Sequence, residues 1–365
     1  MRLRTQLDSS VALLVISVTF RQNKREMEGA SSFETAPQSP PEEDFERTLR
    51  PKDFSEFLGQ NGVLEPLSLM VRAAQEREET SEHILFTGLP GLGKTSLALA
   101  LAQELGAPLK MTSGPALNKS RDLVGILSQI EPGTLLFIDE IHRIPRDVEE
   151  YLYGAMDRFQ LEWTLDSGPH ARLLKLDIQP FTLVGATTRE ALLSPPFRSR
   201  FGHAFRFEPY PAHELEQILE RSASLLKVAL TPEACARLAQ HARGTPRIAN
   251  RLLRRARDVA QVETNGPIDA SVVERTYQLL DIDALGLERT DRKILHALVL
   301  AAGQPLGLKN LAVAIDEAED TLEEVFEPWL IREGFLARTP QGRVILPLGR
   351  DALGLAPLPE GDSAS

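Results

Sequence analysis

The 365-residue sequence predicts an α/β chain: a parallel sheet with helices on both faces, then a small all-helical unit, then a third unit of short helices and a strand pair. Three observations carry that class. From about Thr48 to Pro209, short β-rich apolar runs alternate with helical patterns, as a parallel sheet with crossover helices requires. One of those runs passes into Gly88-Leu-Pro-Gly-Leu-Gly-Lys94-Thr95, which fits G-x-x-x-x-G-K-[ST] and leads into the strong helix former Ser96-Leu-Ala-Leu-Ala-Leu-Ala. A second apolar run, Leu135-Leu-Phe-Ile, ends in Asp139-Glu140. The strands are expected at His83–Thr87, Leu135–Asp139 and Phe181–Ala186. From Tyr210 to about Leu280 the periodicity is helical. His213, Leu215, Ile218, Leu219 and Ser222 start one amphipathic stretch; Ile248, Leu252, Leu253 and Ala256 lie on one face of another. Between Gly286 and Gly349, three short helical patterns precede Gly-punctuated strands at Phe335–Arg338 and Arg343–Leu346.

Composition excludes several functions. Lys plus Arg total 41 against 52 Asp plus Glu, a net charge of −11, so bulk charge does not suit the chain to coat nucleic acid, although a local basic patch remains open. The single cysteine, Cys235, rules out an intrachain disulfide and a two- or four-cysteine zinc site, and a reducing compartment fits it. The apolar run Val11–Phe20 is too short for a bilayer core, which needs about 20 residues. It lacks a small-residue cleavage site, so secretion is not expected. Residues 1–45 read as a disordered leader, with translation starting at Met27 and residues 1–26 not translated. Residues 355–365 read as a disordered tail.

The motifs point to nucleotide chemistry. Glycines let backbone N–H groups turn towards phosphate oxygens, and the following helix N-terminus favours an anion. Lys94 can reach the β- and γ-phosphates, and Thr95 can ligate Mg²⁺. Asp139, at a strand's carboxyl end, can hold Mg²⁺ through water, and Glu140 is placed to polarise an attacking water. Two acids after a strand are ordinarily just a solvated strand end; the phosphate loop tips the balance. His142 reads as a packing or hydrogen-bonding residue. The helix carrying Val148, Tyr151, Leu152, Ala155, Met156 and Phe159 reads as core. The polar strand tip Thr187-Thr188-Arg189 could place a hydroxyl beside the γ-phosphate, or be a turn. Arg198 and Arg200 sit in a turn, where phosphoryl transfer often recruits an arginine from a neighbouring chain. Arg247 lies in the first turn of a helix, the wrong end for a cation, which favours a phosphate partner.

Together these segments resemble the RuvB family of AAA+ ATPases, the bacterial Holliday-junction branch-migration motors, over roughly residues 46–354. The most specific strings are Gly244-Thr-Pro-Arg-Ile-Ala-Asn and Arg338-Thr-Pro-Gln-Gly-Arg343. The resemblance implies a large AAA+ ATPase domain at 46–210, a helical lid at 211–282 and a winged helix at 283–354. It implies ATP and Mg²⁺ as ligands, with Leu49, Arg50, Gly88, Gly91, Leu92, Gly93, Lys94, Thr95, Ser96, Asp157, Arg158, Phe159, Tyr210 and Arg247 around the nucleotide. Thr95 and Asp139 would hold the metal. Asp139 and Glu140 would be the Walker B pair, Thr188 sensor 1, Arg247 sensor 2, and Arg200 a finger reaching the adjacent subunit. Arg338 and Arg343 would contact duplex DNA from the wing, beside Arg332 and Lys309, with the acidic helix Glu319–Glu327 turned away. The partners implied are a Holliday junction, further copies of the chain in a hexameric ring, a RuvA-type junction-binding protein docked on the hairpin 163–177, and a RuvC-type resolvase, in the cytoplasm and without a membrane. The sequence departs from the family at Leu89, Asp157-Arg158, Gln341 and Gly303-Gln-Pro-Leu, which weakens the nucleotide contacts at 157–158 and the DNA contacts of the wing. Two other functions remain open: a clamp-loader-like ATPase, and a nucleotide-dependent DNA-binding regulator without motor activity.

Overall fold

The structure, a computed structural model, describes residues 41–165 and 172–355. Most of the expected leader, residues 166–171 of the expected hairpin 163–177 and the expected tail from 356 lie outside the described residues. The chain divides into two units, Met1–Thr48 and Leu49–Ser365. Of the first, the structure describes one element, the helix Pro41–Leu49. The expected leader therefore stops short of residue 45. Proline at the first helical position and Arg47 in the last turn both suit a helix.

In the second unit, β1 (Ile84–Thr87), β2 (Leu109–Ser113), β3 (Thr134–Asp139), β6 (Phe181–Thr187) and β7 (His203–Arg206) form a parallel sheet in the order β2-β3-β6-β1-β7. Between β3 and β6 an antiparallel hairpin, β4 (Gln160–Leu165) with β5 (Arg172–Asp177), stands apart from the sheet. The two edge strands escape the sequence patterns because Leu109-Lys-Met-Thr-Ser and His203-Ala-Phe-Arg are half exposed, not continuous apolar runs.

Successive residues of β3 serve opposite faces. Leu135 and Phe137 pack with Leu97, Ala98 and Leu101 of the helix Lys94–Leu105. Leu136 and Ile138 pack with Leu123, Leu127, Val148 and Leu152 on the other side. Phe137 is wholly buried between sheet and helix, and trimming it to alanine would cost about 3–5 kcal/mol.

The lid helices Ala212–Leu225, Pro232–His241, Pro246–Val259 and Ala270–Leu280 bury Leu215, Leu219, Leu238, Leu252, Leu253 and Val273 in the same cluster as the phosphate-loop helix. His213 lies on the exposed face of the first of these helices. Thr231 and Asp269 cap two of these helices through their side chains. The third unit has its own core around Ile294, Leu311, Leu330 and Leu336. Its strands β8 (Leu336–Thr339) and β9 (Gly342–Ile345) pair antiparallel, with Arg338 opposite Arg343.

A buried clamp joins lid to third unit. Arg243, with a left-handed backbone (φ 55°), donates to Asp291 at 2.6 Å and to the Gly286 carbonyl at 2.9 Å. Its guanidinium lies 4.1 Å from the Trp329 ring centre.

Candidate active site

The strand order decides what meets at the carboxyl edge. β6 lies between β3 and β1, so the ends carrying Asp139, Thr187 and Thr87 stand side by side, neighbours about 4.8 Å apart. After β1 the chain turns through Gly88, Gly91 and Gly93, all with positive φ, into the helix of Lys94 and Thr95. At Gly91 (φ 80°) a Cβ would lie 2.8 Å from the Thr245 methyl and 2.9 Å from the Arg247 Cβ, so glycine is what lets the lid helix press on the loop. The Arg247 amide donates to the Gly91 carbonyl at 3.4 Å. From the junction between the subdomains, the Tyr210 hydroxyl donates to the Leu92 carbonyl at 3.3 Å, and burial pushes its phenol pKa up. Leu49 is buried, its carbonyl accepting from Arg221 at 2.8 Å; Arg50, next to it, and Ser96, in the first turn of the helix after the loop, are half-buried.

Lys94 is folded against the loop, donating from Nζ to the carbonyls of Gly88 (2.7 Å) and Leu89 (2.8 Å). Burial pulls its pKa down to about 8, against the opposing pull of Asp139 and Glu140. Thr95 Oγ1 donates to Asp139 Oδ2 at 3.4 Å. Glu140 has a left-handed backbone (φ 48°); burial, then the neighbouring Asp139 charge, raises its pKa. His142 Nδ1 lies 2.9 Å from Thr187 Oγ1 and 3.4 Å from Glu140 Oε2, tying the acid strand to the tip of β6. Of the two expected roles, packing or hydrogen bonding, it takes the second.

The residues present fit a magnesium nucleotide. The glycines leave a cradle that Cβ atoms would close, a lysine stands at its mouth, and a hydroxyl and a carboxylate stand together beside it. Among the described residues no group of three or more His, Cys, Asp and Glu could hold a metal alone. A magnesium ion needs only one or two protein oxygens, with phosphate and water completing its shell.

Arg200 and residues 157–159 lie at the opposite edge. Gly202 N donates to the carbonyl of His83, just before β1 begins. Phe159 packs edge-on against Phe181, the first residue of β6, at 6.0 Å. Arg200 Nε donates to Asp157 at 3.0 Å, and its guanidinium sits 4.3 Å from the Tyr153 ring centre. A cleft of about 250 Å³ opens there between His83, Phe159, Phe181 and Arg200. The seven residues of β6 put roughly 20 Å between the two edges. Asp157, Arg158 and Phe159 thus join Arg200, not the phosphate loop of their own chain.

The wing differs from expectation. Arg343 is buried: Nε donates to Glu327 Oε1 at 2.6 Å, and Nη2 donates to Glu327 Oε2 and Glu323 Oε1, each at 3.1 Å. Arg338 is half exposed and also donates to Glu327. The acidic helix therefore packs under the wing instead of turning away. Burial disfavours the Arg343 charge, but the Glu327 carboxylate more than offsets this and its pKa is raised.

Several site residues escape the sequence patterns. Gly114 approaches the acid turn so closely that a Cβ would sit 2.3 Å from the Glu140 carbonyl. Glu149 accepts from Tyr153 at 2.6 Å and also from Ser194. Glu149, Tyr153 and Asp157 stand four apart on one helix, so their spacing alone marks a common face under Arg200. Thr188 Oγ1 donates to Glu324 at 3.3 Å, a contact with no local signal.

An acid pair beside a phosphate loop, with a lid helix pressed onto that loop, makes the chain a P-loop ATPase of the AAA+ class. Residues 49–207 match the Holliday junction DNA helicase RuvB P-loop domain, 210–283 the RuvB AAA lid domain and 284–354 the RuvB C-terminal winged helix domain. A protein of Streptomyces avermitilis named Holliday junction branch migration complex subunit RuvB is 51% identical over 315 residues, covering 86% of this chain and 88% of that protein. Its namesake in Salinibacter ruber is 50% identical over 304 residues, 83% and 88% of the two chains. The solved structure of the Thermotoga maritima RuvB Holliday junction branch migration motor superposes with a TM-score of 0.79 at 45% identity, covering 85% of this chain and all of that one. The chain belongs to the RuvB family.

Proposed function

We propose that the chain is an ATP-driven ring motor that translocates duplex DNA and so branch-migrates Holliday junctions in recombination and repair. The observation that carries this reading is the division of the site between the two edges of one sheet. Lys94, Thr95, Asp139 and Glu140 stand at the carboxyl edge and Arg200 at the amino edge, too far apart to meet in one chain. Closed rings of identical chains, hexameric here, bring opposite edges together at every interface. Thr95 and Asp139 would hold Mg²⁺, which when bound neutralises phosphate charge. Lys94 would turn from the Gly88 and Leu89 carbonyls to the β- and γ-phosphates. Glu140 would take the proton of the attacking water, Thr188 would hold the γ-phosphate, and Arg200 of the next chain would stabilise transition-state charge. Leu49, Arg50, Gly88, Gly91, Leu92, Gly93, Ser96 and Tyr210 would enclose the nucleotide. Asp157, Arg158 and Phe159 would approach it from the neighbour, beside Arg200. Arg247, on the lid, would couple hydrolysis to lid position.

The third unit would hold the duplex through phosphate contacts, with Arg338 the exposed wing cation. Arg343 in this conformation shapes the wing by holding Glu327. The hairpin β4–β5 would dock a RuvA-type partner, and a RuvC-type resolvase would act on the same junction in the bacterial cytoplasm, a setting that suits the lone buried Cys235.

Mixing two inactive variants tests the reading. Arg200→Ala should bind ATP but lose about 10³-fold or more in turnover, and Lys94→Ala should fail to bind. Mixed rings place an intact Arg200 against an intact Lys94 pocket, so activity should partly return in proportion to mixed interfaces. Co-assembled mixtures that stay inactive would rule out the shared site.

A further inference from the structure

The tip of β6 does not face open solvent. The segment Glu319–Arg332 of the third unit lies across it. Arg189 Nε pairs with Glu324 Oε1 at 2.7 Å, and Arg189 Nη2 pairs with Asp320 at 2.9 Å and Glu323 at 3.4 Å. The other oxygen of Glu324 accepts from Thr188 Oγ1 at 3.3 Å. A cleft of about 420 Å³ beside this contact is lined by Leu89 and Pro90 of the phosphate loop as well as by Thr188, Arg189, Glu323 and Glu324. Glu324 thus holds the hydroxyl proposed above for the γ-phosphate, within reach of the loop that would carry that phosphate.

We infer that Glu324 is a built-in competitor of the γ-phosphate: its carboxylate occupies Thr188 and latches the third unit to the ATPase sheet through Arg189, and ATP must displace it. A carboxylate and a phosphate oxygen make the same demand on one hydroxyl, and two anions cannot share it without repulsion. The latch is built to open. Its ion pairs are partly exposed, in contrast to the buried Arg243–Asp291 clamp that binds the third unit to the lid. When the latch opens, the third unit stays with the lid. Glu323, released from Arg189, remains against Arg343 under the wing, so the same charges that report the nucleotide also shape the DNA-facing strands.

The inference rests on the assignment of Thr188 as the γ-phosphate sensor. It is tested on the full chain with Mg·AMP-PNP as the probe. Glu324→Gln keeps shape and hydrogen bonding but removes the charge. Apparent affinity for Mg·AMP-PNP should rise about 3- to 10-fold, because less of the free protein is held in the latched state. The same change at Glu319, a neighbouring acid outside the latch, should leave affinity where it was. A second readout follows the latch directly. Spin labels at Ala191→Cys and Ala318→Cys, in labelled chain diluted into unlabelled chain, report the distance between sheet tip and third unit; Cys235 is buried and should escape labelling. Without nucleotide the wild-type background should give a single short distance, and Mg·AMP-PNP or Glu324→Gln should each produce a longer one. If Mg·AMP-PNP binds but neither affinity nor distance responds to Glu324→Gln, the latch is refuted and the ATPase assignment survives. If Mg·AMP-PNP does not bind the wild-type chain at all, the site assignment itself fails, and the latch with it.

Discussion

Arg343→Ala separates an internal brace from a DNA contact. Its side chain is 9% exposed, and the Glu327 carboxylate that it grips with two donors is fully buried. Alanine would leave that carboxylate with only Arg338, whose side chain is 48% exposed. Losing one partner of a buried pair costs about 3–5 kcal/mol, and the surviving Arg338 contact places the expected loss near ~3 kcal/mol. Arg338→Ala, by contrast, removes the more exposed cation and leaves the bidentate pair intact, so it should cost no more than about 1 kcal/mol. Trp329 packs against Phe335, ring centres 5.6 Å apart and tilted, in the same core. Urea unfolding followed by its fluorescence, with Trp163→Phe as background, therefore reports this unit. Replacing the whole pair, Arg343→Met with Glu327→Leu, should recover most of the loss, because the buried charge goes with its partner. On duplex DNA, Arg338→Ala should lower the salt slope by about one unit at any sequence. If Arg343→Ala instead unfolds like the wild type and lowers the salt slope as Arg338→Ala does, the brace is wrong and Arg343 faces phosphate.

Lys94→Ala should abolish nucleotide binding in a Mg·AMP-PNP titration. In the wild type, burial holds Lys94 near 8, so phosphates that restore its charge should draw in up to about half a proton on binding at pH 8 and almost none at pH 6.5, as calorimetry in buffers of different ionisation enthalpy would reveal. Glu140→Gln should bind ATP, collapse turnover by about 10²-fold or more, and accumulate on DNA; near-normal turnover would exclude it as the base. Arg243→Met strands the buried Asp291 and should cost about 3–5 kcal/mol in the lid–third-unit transition, while Arg243→Met with Asp291→Leu should restore most of it.

Where local chemistry and position coincide, the site is legible in sequence. Gly88 to Thr95 announces itself because a glycine turn, a lysine and a helix start must be consecutive to work. Asp139 and Glu140 follow because a parallel strand exposes its carboxyl end where ligands bind. Two of the sheet's strands, β2 and β7, are not legible in this way. At the edge of a sheet one side is open, and Lys110, Thr112, His203 and Arg206 are tolerated there without an apolar run. The helix Pro41–Leu49 was hidden for the opposite reason, since charged composition reads as disorder when no apolar stripe accompanies it.

Charge is where sequence misleads most, because a cation's role depends on what faces it across the fold. Arg338 and Arg343 look like a phosphate-binding pair and Glu319–Glu327 like a solvated acidic face. Folding places the two together, and the acids also reach Arg189 on a different domain. No local pattern contains that pairing, since residues 189 and 324 are separated by the whole lid. The lone signal was global: with 52 acids against 41 basic residues, many arginines were bound to find internal carboxylates. Arg200 follows the same logic with the opposite outcome. Its carboxylate partner Asp157 and its ring Tyr153 lie on one helix at the amino edge of the sheet, and they hold the guanidinium at the surface instead of burying it. A partly exposed cation at the edge away from its own phosphate loop is where the proposed ring would need one for a neighbour's phosphate, whereas one gripped by a fully buried carboxylate is not free to reach any.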